Sequence, residues 1–117
     1  MENLPDIDIR MASGCAVVSV KGRIDASSCC GLESALSGLV GQGEKSIVVD
    51  MSSLEYISSS GLRVLLATYK QVKKTDGHLS IAGPTPFVRE IFEISGFLRI
   101  FPAYESVEDA LNRQGRA

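Results

Sequence analysis

The chain has 117 residues, 44% of them hydrophobic and 22% charged, with 12 Lys and Arg against 14 Asp and Glu. This length fits one domain spanning 1–117, with a core over about 6–113, and is too short for two. A formal charge of −2 with no basic cluster argues against a nucleic-acid partner, and no apolar run exceeds four residues, so membrane insertion is not expected.

In chain order, the segment Met1 to Asp6 is acidic and lacks an apolar stretch, so no secretory signal is expected and a cytoplasmic location is. Asp6-Ile7-Asp8-Ile9-Arg10-Met11 alternates polar and apolar residues, the pattern of a half-buried strand. Ser13-Gly14 reads as a turn and Cys15–Val20 as a second strand, which together predict an antiparallel hairpin ending at Gly22. Arg23-Ile24-Asp25 then leads into a helix that starts near Ser27 or Ser28 as cap. Leu32, Ala35, Leu36, Leu39 and Val40 give that helix one apolar stripe, and Gly41 and Gly43 close it.

Ser46–Met51 is a short run rich in β-branched residues, suited to a central strand covered on both faces. A second helix follows a serine run, with Leu62, Leu65, Leu66, Tyr69 and Val72 inward. Lys70, Lys73 and Lys74 lie on its solvent side and last turn. Asp76-Gly77 is a turn and Leu79–Ala82 a strand. Thr85-Pro86 is a cap with proline at the first helical position, opening a third helix that buries Val88, Ile91 and Phe92 and stops at Ser95-Gly96. A strand around Arg99–Phe101 and a helix from Ser106 to about Arg113 complete the chain. Strands alternating with helices predict an α/β domain: a mixed, mostly parallel sheet of four or five strands, packed with about four helices.

Three cysteines, two of them adjacent at Cys29 and Cys30, form no framework of disulfides, because a bridge between neighbours closes a strained ring. They are expected to be small buried residues in a reducing compartment. With His78 the single histidine and no second cysteine pair at metal-site spacing, no metal and no cofactor are expected. His78 itself reads as an exposed polar residue at a turn.

The most informative stretch is Asp50-Met51-Ser52-Ser53-Leu54-Glu55-Tyr56-Ile57-Ser58-Ser59-Ser60-Gly61-Leu62. It joins a buried strand to a helix and places three consecutive hydroxyls at the helix N-terminus, where unpaired amides and the positive end of the dipole favour negative charge. A phosphate on one of these serines adds about −1.5 to −2 charge at neutral pH. Serine is equally an ordinary cap residue. Asp50 is expected to fix the turn that follows it. Tyr56 and Phe92 are read as core or near-core aromatics.

This segment resembles the signature of the STAS family, the sulfate-transporter and anti-sigma-factor-antagonist domains, at Asp50, Ser52, Tyr56, Ile57, Ser59, Ser60, Gly61 and Leu62. Gly22-Arg23-Ile24-Asp25 resembles a second family motif, and the order of elements, through Phe92-x-x-Ser95-Gly96, follows the family along nearly the whole chain. The length is similar to that of stand-alone bacterial anti-anti-sigma factors.

The resemblance implies phosphorylation at Ser59. Ser58 stands where the family carries an acidic residue, which leaves Ser58 and Ser60 as competing acceptors. It further implies partner contact by Asp25, Ser58, Ser60, Gly61 and Arg63. Asp25 has a cap of the first helix as its alternative role, and Arg63 is exposed and near enough in sequence to pair with a phosphate on Ser59. The implied function is partner switching. The unmodified protein binds an anti-sigma factor that is also a serine kinase and so frees a sigma factor. Phosphorylation ends the binding, and a serine phosphatase restores it. The alternative is a STAS regulatory or ligand-binding module of another signalling, secretion or lipid-transport complex.

An enzyme is not expected, and no catalytic residue is assigned. A serine nucleophile needs a base and a group that orients it, and His78 has no evident carboxylate partner. Neither Gly-x-x-x-x-Gly-Lys nor Gly-x-Gly-x-x-Gly occurs in the chain.

Overall fold

The computed structural model describes residues 6–114. Among them are six strands: β1 (Asp6–Ala12), β2 (Cys15–Ile24), β3 (Ser46–Asp50), β4 (Leu54–Ile57), β5 (His78–Ala82) and β6 (Ala103–Tyr104). Four α-helices join them: α1 (Cys29–Gly41), α2 (Ser59–Lys73), α3 (Pro86–Ser95) and α4 (Val107–Gln114). The sheet runs β1-β2-β3-β5-β6, with β4 branching from the far end of β2. Only β1 and β2 pair antiparallel; every other pair is parallel.

Period-two alternation sorts the strands onto two faces. Ala16, Val18 and Val20 of β2, Ile47 and Val49 of β3, and Leu79 and Ile81 of β5 face a large core shared with α1, α2 and α3. Cys15, Val17, Val48 and Ala82 face the other way, under Ala110 of α4. Three helices thus cover one side, while a single eight-residue helix covers the smaller side chains of the other. That double cover is why β3 carries an uninterrupted apolar run rather than an alternating one.

The mixed, mostly parallel α/β arrangement is the expected one, and five strands form its path. The differences are local. The hairpin strand β2 does not stop at Gly22 but continues to Ile24. Its pairing with β3 ends at Ser19, and from Gly22 it pairs with β4, with a bulge between Gly22 and Arg23. Gly22 has φ +84°, a backbone state that a side chain disfavours. Leu54–Ile57, read from sequence as part of a long turn, is the sixth strand, stabilised by this parallel pairing. The strand expected around Arg99–Phe101 is a 3-10 turn over Phe97–Arg99, and the pairing to β5 falls later, at Ala103–Tyr104. Phe101 instead buries its ring against Tyr69, Phe92 and Phe97. Of the three cysteines, only Cys15 is buried; Cys30 is exposed and Cys29 is partly so. Residues 1–5, where the absence of a signal was read, lie outside the described residues.

Candidate functional site

The crossover of β2 onto β4 sets two strand-to-helix junctions side by side. Asp25 follows β2 and opens the path into α1. Ser58 follows β4 and opens α2. The amide of Ser58 donates to the carbonyl of Ile24 at 2.8 Å, tying one junction to the other.

At the α2 junction, Ser58 is the N-cap. Its backbone is extended, its Oγ accepts from the Gly61 amide at 3.4 Å, and its carbonyl accepts from the Leu62 amide at 3.0 Å. Ser59 is therefore the first helical residue, and its side chain is exposed; Ser60, the second, is half-buried. Gly61 turns inward. A Cβ at this position would come within 2.7 Å of both Ile24 Cγ2 and Ile57 Cγ1. The helix start is pressed onto the ends of β2 and β4, which leaves the opposite side, with Ser59, facing out. Gly61, one of the residues expected at the partner contact, is itself buried by this close packing.

Asp25 organises the turn that leads into α1. Its Oδ1 accepts from the Ser27 amide at 3.0 Å, the Ser27 hydroxyl at 2.7 Å and the Ser28 hydroxyl at 3.2 Å. Ser28 Oγ in return accepts from the Asp25 amide at 2.9 Å and reaches the Arg23 carbonyl at 3.0 Å. Ser28 is the N-cap residue by position but makes no side-chain bond to helix amides, and the Asp25 carboxylate fixes the turn before the helix rather than bonding the helix amides themselves. Hydrogen bonds from Ser27, and to a lesser extent from Ser28, hold the Asp25 carboxyl below the ordinary carboxylate range, outweighing a smaller desolvation. Nearby, burial raises the Cys29 thiol above its usual value, which disfavours the reactive thiolate.

Asp50 acts as expected: its Oδ1 accepts from the Ser52 amide at 3.1 Å and the Ser52 hydroxyl at 2.9 Å, fixing the turn into β4. Arg63 is exposed, one turn along α2 from Ser59, and His78 is exposed at the start of β5. Phe92 is fully buried, whereas Tyr56 is half-buried. The Arg23 guanidinium lies 4.6 Å from the centre of the Tyr56 ring, and Phe87 stacks against that ring at 6.4 Å.

Beside Ser59 runs a groove of about 300 Å³ between α2 and α3, bounded by Tyr56, Leu62, Ile91 and Ile94. Ile94 is 81% exposed and Phe87 56%. Sequence reasoning missed these two. The available signal was that neither belongs to the inward stripe Val88, Ile91 and Phe92 of α3, so each is an apolar residue on a solvent face. A second cavity, of about 290 Å³, lies among Lys73, His78 and Arg113. Among the described residues, no cluster of three or more His, Cys, Asp or Glu is placed to hold a metal, and no helix is long and apolar enough to cross a membrane.

The site brings together an exposed hydroxyl at a helix start, an apolar groove beside it, and flanking Arg23, Asp25 and Arg63. The STAS domain family model matches residues 6–110. A Bordetella bronchiseptica protein named as an anti-sigma factor antagonist, BtrV, is 42% identical over 97 residues, covering 83% of this chain and 84% of its own. The anti-sigma-F factor antagonist RsfB of Mycobacterium tuberculosis is 28% identical over 106 residues, covering 89% and 86%. The crystal structure of an anti-sigma factor antagonist from Mycobacterium paratuberculosis superposes with a TM-score of 0.87 at 31% identity, covering 94% of this chain and 93% of that one.

Proposed function

The chain belongs to the STAS domain family, and we propose that it is an anti-sigma factor antagonist working by partner switching in the cytoplasm. The unmodified protein binds an anti-sigma factor that is also a serine kinase, which releases a sigma factor. Transfer of the γ-phosphoryl group of ATP to Ser59 Oγ ends the binding, and a serine phosphatase hydrolyses the phosphoester to restore it. The names of the relatives support the antagonist role. The observation that carries the switch is the position of Ser59. It is exposed at the first turn of α2, on the wall of an apolar groove, while Ser58 is occupied as the cap.

The same placement separates the competing acceptors. A phosphate on Ser58 would have to break the cap, and Ser60 is half-buried. Ser59 can be modified with the helix intact, because an anion at the first turn meets the positive end of the helix dipole. The fold therefore survives, and the change is felt at the docking surface. There, a neutral hydroxyl among Tyr56, Leu62 and Ile94 becomes a dianion. A partner that covers the groove must desolvate that charge, and burying one unpaired charge costs about 3–5 kcal/mol, a loss in affinity of a hundredfold or more. Arg63 is available to pair with the phosphate on this chain, which would hold the charge at the groove mouth. Asp25, Ser60 and Arg63 form the rim of the contact in this reading. The chain is the kinase's substrate and performs no catalysis.

The test uses the purified chain, the anti-sigma kinase of the same host and ATP. Phosphate is expected on Ser59 alone by mass spectrometry. Ser59→Ala is expected to bind the kinase and never release it, and Ser59→Asp to bind more weakly. Phosphate on Ser58 or Ser60, or equal affinity of the Asp variant and the parent, would overturn this assignment. Incorporation of phosphate without the kinase would overturn the substrate-only reading.

A further inference from the structure

The open edge of the sheet carries a sequence that is complementary to itself. Strand β1 is the outermost strand, pairs without interruption to β2 over all seven residues, and contains no proline. Its turn, at Ser13 and Gly14 with φ +51° and +79°, is the two-residue hairpin type, so Ala12 and Cys15 are the first hydrogen-bonded pair. Hydrogen-bonded and non-hydrogen-bonded pairs alternate from there. Arg10, Asp8 and Asp6 consequently turn their backbone groups toward β2. Met11, Ile9 and Ile7 turn theirs to the open edge.

The side chains sort by the same alternation. Ile7, Ile9 and Met11 stand opposite Val20, Val18 and Ala16, on the face covered by α1 to α3. Yet Ile9 is 43% exposed and Met11 56%. Asp8 and Arg10 are on the α4 face, opposite Ser19 and Val17, so neither has a charged neighbour directly across its own ladder.

We propose that a second copy of this chain pairs with β1, antiparallel about a two-fold axis through Ile9, to continue the sheet from one protomer into the other. In that register, Ile9 opposes Ile9 and Ile7 opposes Met11, each through the outward backbone groups, so the free edge is satisfied. Their side chains form one apolar row on the α1 face. On the α4 face, Asp8 opposes Arg10 twice. A shift of the axis to Asp8 or to Arg10 still bonds through the outward groups of Ile7, Ile9 and Met11, but it sets Asp8 against Asp8 or Arg10 against Arg10. Charge therefore selects the Ile9 register among those the backbone allows. Edges of sheets are usually guarded by proline, bulges or a charge of one sign. This one carries Asp6, Asp8 and Arg10, of which Asp8 and Arg10 are spaced to neutralise each other across a two-fold. The surface is separate from the serine turn, because β1 pairs with Cys15–Lys21 of β2, whereas Ser58 bonds to Ile24 beyond the bulge.

Sedimentation equilibrium of the full chain at low salt tests this independently of any phosphorylation. A concentration-dependent dimer is expected. Asp8→Arg and Arg10→Asp are each expected to weaken it about tenfold or more, because each sets like charges opposite one another. An equimolar mixture of these two variants is expected to regain the dimer, since one then presents two cations to the other's two anions. Circular dichroism checks that each variant is folded; should a reversal unfold the chain, Asp8→Asn replaces it and is expected to weaken the dimer at unchanged secondary structure. A monomer at all concentrations up to about 1 mM, a dimer indifferent to the substitutions, or a mixture that fails to reassociate would each overturn the proposal.

Discussion

The two strand-to-helix junctions use nearly the same materials and differ in what remains free. The α1 junction has Asp25, Ser27 and Ser28; the α2 junction has Ser58, Ser59 and Ser60. At the first, a carboxylate gathers both hydroxyls, and Ser28, 1% exposed, is locked between the Asp25 amide and the Arg23 carbonyl. At the second, no carboxylate is present. Ser58 takes the cap alone, and Ser59 is left outside. A serine-rich helix start is thus a closed structural joint in one place and an addressable hydroxyl in the other. What decides is whether an acidic residue absorbs the donors.

The largest effect is expected where the junctions touch. Gly61→Val forces atoms into Ile24 and Ile57, which a Cβ alone would meet at 2.7 Å, and should cost about 3 kcal/mol in a urea denaturation series. A cost near zero would mean that the two junctions are not pressed together.

Ser28→Ala comes next. It leaves the Asp25 amide without its acceptor in a buried setting, at a cost of about 2 kcal/mol read from the same series. The α2 junction should respond unequally to its two serines. Ser58→Ala should lose about 1 kcal/mol as a lost cap, while Ser59→Ala should change stability by less than about 0.5 kcal/mol. Similar losses at both would erase the distinction between cap and exposed hydroxyl.

The smallest effect is in pH. The Asp25 carboxyl is lowered from its ordinary 3.8 by hydrogen bonds. A lowered carboxylate contributes its stability above the unfolded value and loses it as pH falls through the folded one. The Ser27 amide should therefore shift in NMR spectra with a midpoint below 3.8, while the Gly61 amide, bonded to a neutral hydroxyl, stays in place. Equal movement of both would contradict the contrast.

Much of this was legible in order. Thr85-Pro86 and Ser95-Gly96 bracket α3 as expected, with the Thr85 side chain accepting from the Val88 amide and Gly96 in the left-handed region. Such signals are local: a cap, a proline ring and a glycine act within one turn of their own backbone. The run Ser46–Asp50 likewise announces a strand covered on both faces. The serine run was legible as well, because it lies directly between a strand-like and a helix-like pattern, while the choice of Ser59 within it was implied by the resemblance to the STAS signature.

Other features depended on contacts between distant segments. Leu54–Ile57 has four residues, and it is a strand because β2 bends at Gly22 to pair with it. Ala103–Tyr104 is a strand for the same reason, against β5. The close packing at Gly61 was not legible, because a missing side chain carries no direction in sequence; only Ile24 and Ile57 give it one. The groove beside Ser59 depends on how α3 lies against α2, which leaves Ile94 in solvent one turn from the buried Val88 and Phe92 face.

By itself, then, the sequence determined the element order, the helix stops, the parallel character of the sheet and the serine turn as the place to look, since these follow from periodicity and capping over a few neighbouring residues. The tertiary structure decided which serine is exposed, that Asp25 gathers the Ser27 and Ser28 hydroxyls in the turn before α1, and which apolar residues remain uncovered. Those outcomes depend on who occupies the space across the fold, and burial and hydrogen-bond partners are properties of that packing, not of any segment alone.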